Sequence, residues 1–271
     1  MHLKAIAKLA SSFNKLNDID SSQIFVEKGL NINKNHINLN RLKINFLYRN
    51  KYYSDAIPLL LNLDTIDAKE TYSKEMLGRV YYNMDSLEKA KITFNKLKKI
   101  DRENFKAYTY LGHISLKEKN YRAATMNYMM ASFVGKVKRD EEYYGLASVY
   151  FETKKTKEAI SNFQKAYSEN RRNYKALYQA AKLSDDYYKD RKIAYKLYIK
   201  YLDNFQDRDE IMTSFIKKRI AETPRDQSQY LDVYKHYVEA KLSTNFKDAF
   251  KKSYSKYITT RYHIHSFSCK I

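Results

Sequence analysis

The chain has 271 residues, of which 51 are Lys or Arg and 31 are Asp or Glu, so its formal net charge is +20. Two prolines and five glycines are too few for the many tight turns of a sheet-rich fold. A single cysteine, Cys269, excludes an intrachain disulfide, and no apolar run approaches the roughly 18 residues that a membrane-spanning helix needs.

The first residues of the sequence bear on where the protein is located. They include basic residues but no continuous apolar segment, so they do not have the pattern of a signal peptide. We therefore expect a cytoplasmic protein by default. An envelope or periplasmic location stays open, because a leader could have been removed from the N-terminus.

In chain order, one pattern recurs at a spacing of 34 or 35 residues. It combines a leucine and a small residue, an alanine, and an aromatic residue. Its clearest copies are Leu77-Gly78, Ala90, Phe94; Leu111-Gly112, Ala124, Tyr128; and Leu146-Ala147, Ala159, Phe163. Six such units are predicted, over residues 3–35, 36–69, 70–103, 104–137, 138–172 and 173–206. A fixed period of this length is typical of a solenoid.

Each unit has the pattern of two helices joined by a short turn. In the third unit, Asp85-Ser86 interrupt the helical spacing, and Ser86 is suited to cap the second helix. Small residues belong where the two helices of a unit approach most closely, because a larger side chain would push the axes apart. We therefore predict that Gly78 and Gly112 lie at contacts between helices.

Two further predictions concern a proline and the end of the chain. If Ser54 caps the second helix of its unit, Pro58 falls in the first turn, where its missing N–H is tolerated. Residues 207–271 are predicted to form capping and extension helices with a frayed tail. The first of these helices would cover the exposed apolar face of the last repeat.

The repeated residues resemble those of the tetratricopeptide repeat family, whose unit is a helix-turn-helix. One unit matches the family signature at Tyr108, Leu111-Gly112, Ala124, Tyr128 and Ala131. The resemblance covers roughly residues 3–206. It departs from the family in two respects, because no proline closes the units and Lys43-Ile44 stand where Leu-Gly is expected. It implies an all-α, right-handed superhelical α-solenoid of about six repeats, followed by C-terminal capping helices.

The sequence gives little evidence for catalytic or metal-binding residues. The two histidines and the cysteine of residues 263–269 lie at a terminus, without the paired spacing of a structural zinc site. Glu141-Glu142 and Asp185-Asp186 are acidic pairs, but adjacent helical positions point in different directions. The sequence has no Gly-rich phosphate loop and no nucleophile elbow. We therefore predict that the protein is not an enzyme and needs no cofactor or metal.

The resemblance implies a concave groove, lined by the first helices of the units, that binds a protein or peptide segment. Residues at fixed offsets from the Leu-Gly pair are then expected to project into it: Arg41, Asn45, Tyr48, Tyr72, Arg79, Tyr82, Lys106, His113, Tyr144, Phe151, Tyr178 and Lys182. Tyrosine and arginine are enriched at binding hot spots. For any one of the tyrosines, the alternative is a place in the core between helices.

Some family members hold the terminal carboxylate of a chaperone tail with five basic or amide residues. Arg41, Asn45 and Lys106 match three of those positions, but Met76 and Tyr110 stand at the other two. A clamp without two donors would lose several charge-assisted hydrogen bonds, each contributing about 1.5–3 kcal/mol. Chaperone-tail binding is therefore not expected.

Nucleic-acid binding is the alternative function. Five basic residues fall in successive loops between units: Lys136, Lys138, Arg139, Arg171 and Arg172. A solenoid would place such loops along one edge, where they could contact phosphates. A solvated edge is the simpler interpretation. Protein or peptide binding without catalysis is therefore the leading hypothesis.

Overall fold

The structure is a computed structural model that describes residues 2–66, 71–135 and 139–222. Within these residues it contains thirteen α-helices and no strand. The helices are α1 Leu3–Lys15, α2 Ile19–Ile32, α3 Ile37–Arg49, α4 Tyr53–Ile66, α5 Thr71–Asn83, α6 Leu87–Ile100, α7 Phe105–Lys117, α8 Tyr121–Val134, α9 Asp140–Glu152, α10 Thr156–Glu169, α11 Tyr174–Tyr187, α12 Lys192–Phe205 and α13 Glu210–Ala221. They follow one another as antiparallel pairs, which confirms the predicted all-α helical repeat.

The chain divides into two compact units, residues 1–149 (unit 1) and residues 150–271 (unit 2). Unit 1 contains α1 to α8 and most of α9, and the described part of unit 2 contains the end of α9 and α10 to α13. Among the described helices, none combines the length and the apolar character that crossing a bilayer requires. Residues 263–269, Lys136 and Lys138 lie outside the described residues.

The turn between the two helices of a repeat has the same backbone conformation five times. One residue in each of these turns has φ between 57° and 63°: Asn17, Lys51, Asp85, Lys119 and Lys154. Two N–H groups then bond back to the preceding helix, as from Lys119 N to Leu116 O (3.0 Å) and from Asn120 N to Ser115 O (2.8 Å). This Schellman arrangement satisfies carbonyls at the helix C-terminus. The sequence period is therefore also a period of the backbone.

Of two predictions about where helices start, the one for α6 is partly right and the one for α4 is wrong. Ser86 occupies the N-cap position of α6, but its hydroxyl makes no capping hydrogen bond. Helix α4 begins at Tyr53, ahead of Ser54, so Pro58 is its sixth residue and lies beyond the first turn. Side-chain caps occur instead at residues such as Asn104, whose Oδ1 accepts from Ala107 N at 3.1 Å.

Gly78 and Gly112 lie at contacts between helices, as predicted, and each lies against an aromatic ring. A Cβ atom on Gly78 would lie 2.7–2.9 Å from three ring atoms of Phe94, and one on Gly112 would lie 2.7–3.0 Å from the ring of Tyr128. Phe94 and Tyr128 have no exposed surface. The ring of Tyr128 also fills the space beside Gly145 of α9. Each glycine therefore lets a fully buried ring of a neighbouring helix approach its backbone.

The two helices of the second repeat pack together without such a glycine. Ile44 stands where the pattern expects glycine, and it is fully buried in an apolar cluster with Leu60, Leu63 and Val80. The second repeat therefore keeps a buried apolar core without the Leu-Gly pair.

One carboxylate joins three helices of unit 2. Asp185 of α11 accepts hydrogen bonds from Arg191 Nε (2.5 Å), from Arg219 Nε of α13 (2.8 Å) and from the hydroxyl of Tyr198 on α12 (3.1 Å). Its side chain is only 1% exposed. Burial raises the pKa of Asp185, but the hydrogen bonds from Arg191 and Arg219 outweigh burial and hold that pKa below its ordinary value. This network fastens α13 to the helices before it.

We expect Gly78→Ala to destabilise unit 1 although alanine favours helix by about 1 kcal/mol. The added methyl group would overlap the Phe94 ring, and overpacking of this kind costs about 1–3 kcal/mol. Urea unfolding followed by circular dichroism measures the net loss. The same substitution should cost less in a Phe94→Leu background, which frees space. A Gly78→Ala variant as stable as the wild type would contradict the contact.

We expect Asp185→Asn to lower the free energy of unfolding by about 2–4 kcal/mol, because two guanidinium groups lose their charged partner. The pKa of Asp185 is depressed, so its contribution is present above the ordinary carboxyl range and is lost as pH falls through the lower folded-state value. The neighbouring exposed residue gives the control, Asp186→Asn. Equal stability of the two variants at pH 7 would show that the network is unimportant.

Candidate functional site

The predicted binding residues of unit 1 lie on the first helices α3, α5, α7 and α9. Arg41, Asn45 and Tyr48 are on α3, and Tyr72, Arg79 and Tyr82 are on α5; Lys106 and His113 are on α7, and Tyr144 is on α9. The eight predicted residues on α3, α5 and α7 are joined by four neighbours, Glu75, Asn83, Tyr110 and Lys117. These twelve residues are called the first-helix surface. Side chains of one first helix contact those of the next across this surface.

The junction between α3 and α5 begins at Tyr72. The guanidinium carbon of Arg41 lies 5.0 Å from the centre of the Tyr72 ring. The Tyr72 hydroxyl lies 3.2 Å from the Arg41 carbonyl oxygen and 3.0 Å from Asn45 Oδ1, and either oxygen can accept its single proton. A cation over an aromatic ring is attracted by the electrons of its face. Three predicted residues are thus brought together at one point.

A second contact of the same kind lies further along the two helices. The guanidinium carbon of Arg79 lies 4.7 Å from the centre of the Tyr48 ring, and Asn83 Nδ2 donates to the Tyr48 hydroxyl at 2.8 Å. Arg79 Nη1 is 3.6 Å from Glu75 Oε1, which also accepts from Lys106 Nζ at 2.9 Å. Glu75 therefore links the two cations of α5 and α7.

The junction between α5 and α7 repeats this arrangement with a lysine. Lys117 Nζ lies 4.7 Å from the centre of the Tyr82 ring and 2.9 Å from Asp85 Oδ1. Tyr110 packs edge-on against Tyr82, with ring centres 5.3 Å apart, and stacks on Phe94. Burial raises the pKa of Tyr110 to about 12, although Arg79 opposes the rise.

His113 faces inward rather than standing free on the surface. Its Nδ1 shares a 2.7 Å hydrogen bond with the hydroxyl of the buried Tyr128. Its ring lies 5.8 Å from the Tyr110 ring and 6.1 Å from the Tyr82 ring. Burial, with the nearby Lys117, lowers the pKa of His113 to about 4. His113 is therefore a neutral residue that connects this surface to the core.

The predicted residues of unit 2 differ in exposure. Phe151 is 53% exposed. Tyr178 is buried, with its ring edge-on to Phe215 of α13 at 5.7 Å, and Lys182 Nζ lies 5.7 Å from the centre of the same Phe215 ring. Tyr178 and Lys182 are therefore engaged with α13. Their role in binding stays a prediction, as does that of the half-buried Tyr144.

The two acidic pairs separate as expected for adjacent helical positions. Glu142 is buried and accepts from Thr109 Oγ1 at 2.6 Å, whereas Glu141 is exposed. Asp185 is buried in its ion pairs, and Asp186 is exposed. In the described part of the chain, no three His, Cys, Asp or Glu side chains are grouped so as to hold a metal ion. Neither pair forms two converging carboxylates.

The described residues of the basic loops make local contacts. Arg139 Nη1 donates to the Ser132 carbonyl at 3.2 Å, and the guanidinium carbon of Arg171 lies 5.1 Å from the centre of the Tyr167 ring. Arg172 is exposed. Nucleic-acid binding by these loops stays a prediction.

Sequence reasoning missed Asn83, Tyr110 and Lys117 as members of the first-helix surface. A signal for two of them existed, because Lys117 follows Asn83 by 34 residues and both meet the tyrosine of the preceding first helix. Tyr110 gave no signal of this kind. Its register equivalents, Met76 and Gly145, have unrelated side chains.

We expect the stability of the protein to fall between pH 6.5 and 4 because of His113. The unfolded histidine takes up a proton near its ordinary pKa of about 6.5, whereas the folded one does so only near 4. Stability from neutral His113 is thus present above pH 6.5 and lost as pH falls toward 4, by up to about 3 kcal/mol. Urea unfolding should show that the free energy of unfolding falls less between pH 6.5 and 4 for His113→Gln than for a His2→Gln control. An NMR titration that places the His113 pKa near 6.5 would contradict this.

Comparisons with known proteins agree with this architecture. A tetratricopeptide repeat profile matches residues 71–104 and 143–173. A search of curated proteins finds no significant match. PilF of Pseudomonas aeruginosa has a TM-score of 0.65 at 12% identity, covering 80% of this chain and 97% of that one. YrrB, described as a TPR protein with an unusual peptide-binding site, has a TM-score of 0.52 at 19% identity, covering 71% and 97%.

A thermophilic TPR protein of Thermus thermophilus has a TM-score of 0.54 at 13% identity, covering 67% of this chain and 98% of that one. At these identities the solved structures establish likeness of fold alone. The repeat profile identifies tetratricopeptide repeats at residues 71–104 and 143–173, and the paired helices of the described residues have the matching helical-repeat architecture. The chain therefore contains tetratricopeptide repeats.

Proposed function

We propose that the chain binds a peptide segment of a partner protein along the first-helix surface of unit 1, without catalysis. The tetratricopeptide scaffold is typical of protein–protein interaction, and proteins of this family are generally non-catalytic. One observation carries the proposal for this surface. Three tyrosines are each held beneath a cation from another first helix, as in Arg41–Tyr72, Arg79–Tyr48 and Lys117–Tyr82.

These contacts fix side chains that would otherwise lose conformational freedom on binding. Immobilising a long side chain costs about 0.5–1.5 kcal/mol when a partner binds. The cation–π contacts and the hydrogen bonds to Tyr48 and Tyr72 meet part of that cost in the free protein. Both tyrosines remain half-buried, so each keeps surface available for contact. Preorganised tyrosine and arginine side chains of this kind are typical of binding hot spots.

The charges of the surface favour a segment that contains carboxylates. Arg41, Arg79, Lys106 and Lys117 supply four positive charges, and the acidic residues near them are Glu75, Asp85 and Glu141 of α9. At 3.6 Å, the contact between Arg79 and Glu75 is longer than a normal hydrogen bond. A carboxylate of the partner could therefore bind the guanidinium more closely than Glu75 does. Apolar side chains of the same segment would pack on the tyrosine rings.

Peptides are the ligand class we infer, for two reasons. A row of contacts along successive first helices suits an extended or helical segment that runs across them. YrrB, which shares the fold, is described as having a peptide-binding site.

Arg79→Gln is the central test of this proposal. Full-length protein is used to select binders from a displayed library of random short peptides, and the affinity of each binder is measured by fluorescence anisotropy. We expect Arg79→Gln to lower the affinity for these peptides about tenfold or more. Its unfolding free energy should change by no more than about 2 kcal/mol, the size of a partly desolvated cation–π contact, because Arg79 is half-buried.

The matched control is Arg102→Gln, which removes an exposed arginine in the turn between α6 and α7 of the same unit. We expect it to leave peptide affinity unchanged. Equal effects of the two substitutions would show that the peptides respond only to net charge. Binders that are insensitive to both substitutions, or no binders at all, would remove the first-helix surface as the binding site.

A further inference from the structure

Helix α8 carries apolar side chains on its exposed face. Met126, Met129, Met130 and Phe133 are 61%, 56%, 42% and 85% exposed. Their spacing of three, four and seven residues from Met126 places them along one side of the helix. The buried residues of α8, Ala124, Tyr128 and Ala131, belong to its other side. These four exposed residues are called the methionine stripe.

The repeat architecture does not require this stripe. The equivalent residues of α6, 34 positions earlier, are Ile92, Asn95, Lys96 and Lys99. The equivalent residues of α10, 35 positions later, are Ser161, Gln164, Lys165 and Ser168. Apart from Ile92, they are polar, which is usual for residues in contact with water. Neighbouring repeats therefore form the same helix pair with at most one apolar residue at these positions, so the stripe needs a different explanation.

The charges on α8 and on the second helix of the preceding repeat are mainly positive. Arg122 is the one charged residue of α8, and it is exposed one helical turn before Met126. Helix α6, which packs on α7 as α8 does, has five lysines and one acidic residue, Glu88. Lys91 of α6 is paired with Glu118, but Lys96 and Lys99 are exposed. The stripe thus lies on a helix whose single charge is positive, and the second helix of the preceding repeat is basic.

This charge decides which occupant fits. A second copy of the chain would bring a further net charge of +20 to the same basic region. Like charges oppose such an approach, whereas a partner with carboxylates beside its apolar face is attracted. An apolar ridge at intervals of three and four residues matches a helix with the same intervals. Methionine is flexible enough to adapt to such a partner, and Phe133 can act as the anchor.

We propose that the methionine stripe docks an amphipathic helix of a partner protein that carries acidic residues beside its apolar face. The stripe lies on the second helix of its repeat, whereas the first-helix surface is built from first helices. The two sites use different residues. The chain would therefore hold two segments, from one partner or from two.

Methyl NMR of methionine locates the binding directly. The probe is a synthetic helical peptide with leucines at positions i, i+3, i+4 and i+7 and glutamates at most others. It is added to full-length protein labelled with ¹³C at the methionine methyl groups. We expect the resonances of Met126, Met129 and Met130 to shift. Met84, which is 40% exposed and lies outside the stripe, serves as the internal control and should not move.

Met76 separates the two proposals in the same spectrum. Its Sδ lies 3.6 Å from Arg79 Nη1, so it reports on the first-helix surface. A shift of Met76 with an unmoved stripe would overturn the docking proposal and leave the proposed peptide binding intact. Shifts at the stripe alone would support docking whatever the outcome for the first-helix surface.

Substitution provides the quantitative test. Fluorescence anisotropy should show that the double substitution Met129→Ser, Phe133→Ser lowers the affinity for the acidic peptide about tenfold or more. The control Met84→Ser should change affinity by less than about twofold. Because the substituted side chains are exposed, thermal unfolding should be unchanged. A scrambled peptide of the same composition, with its leucines spread around the helix, should bind more weakly.

Three results would overturn the docking proposal. The first is no binding of the acidic peptide at about 1 mM. The second is equal binding of the scrambled peptide, which would reduce the effect to charge attraction. The third comes from sedimentation equilibrium. If the wild type is a dimer and the Met129→Ser, Phe133→Ser variant is a monomer, then a second copy of the chain covers the stripe.

Discussion

The structure depends on aromatic rings that lie directly against backbone where a residue has no side chain. Phe94 and Tyr128 come from second helices and are fully enclosed, and Gly78 and Gly112 of the first helices make room for them. Tyr128 also meets Gly145 of the following first helix. One ring thereby sets the separation within a helix pair and to the next repeat. Interiors are packed too densely for such a distance to vary freely.

The first-helix surface follows from that separation. Contacts from α3 to α5 and from α5 to α7 form only because successive first helices lie close enough for a cation of one to reach a tyrosine of another. His113 shows the connection most clearly, since its ring touches the surface tyrosines while its Nδ1 shares a hydrogen bond with Tyr128. The residues that fix the core also position the candidate binding residues.

Much of the fold could be predicted from the sequence, because its causes are local and repeated. The 34-residue spacing and the place of the glycines at contacts between helices required no knowledge of distant contacts, whereas the aromatic rings that meet the glycines were found only in the structure. The turns are different. Lys51, Lys119 and Lys154 adopt positive φ, which lysine does not favour, so no residue type marked these positions. Hydrogen bonds back to the preceding helix outweigh that strain. The early start of α4, which leaves Pro58 inside the helix, was equally unmarked.

The candidate site was less predictable than the fold. Family offsets selected Arg41, Tyr48 and Arg79, and the structure brings each into a cation–π contact. The same offsets selected Tyr178, which is buried against Phe215 of α13, a helix outside the repeat pattern. The methionine stripe had no counterpart in the family signature. It stands out only when equivalent residues of α6 and α10 are compared.

Nuclear Overhauser contacts between glycine Hα protons and aromatic ring protons test the central claim most directly. The account predicts strong cross-peaks from Gly78 to Phe94 and from both Gly112 and Gly145 to Tyr128 in the full-length protein. If these cross-peaks are absent while the helices are formed, the rings do not lie on the glycine backbone. The spacing of the first helices, and the surface built on them, would then need another cause.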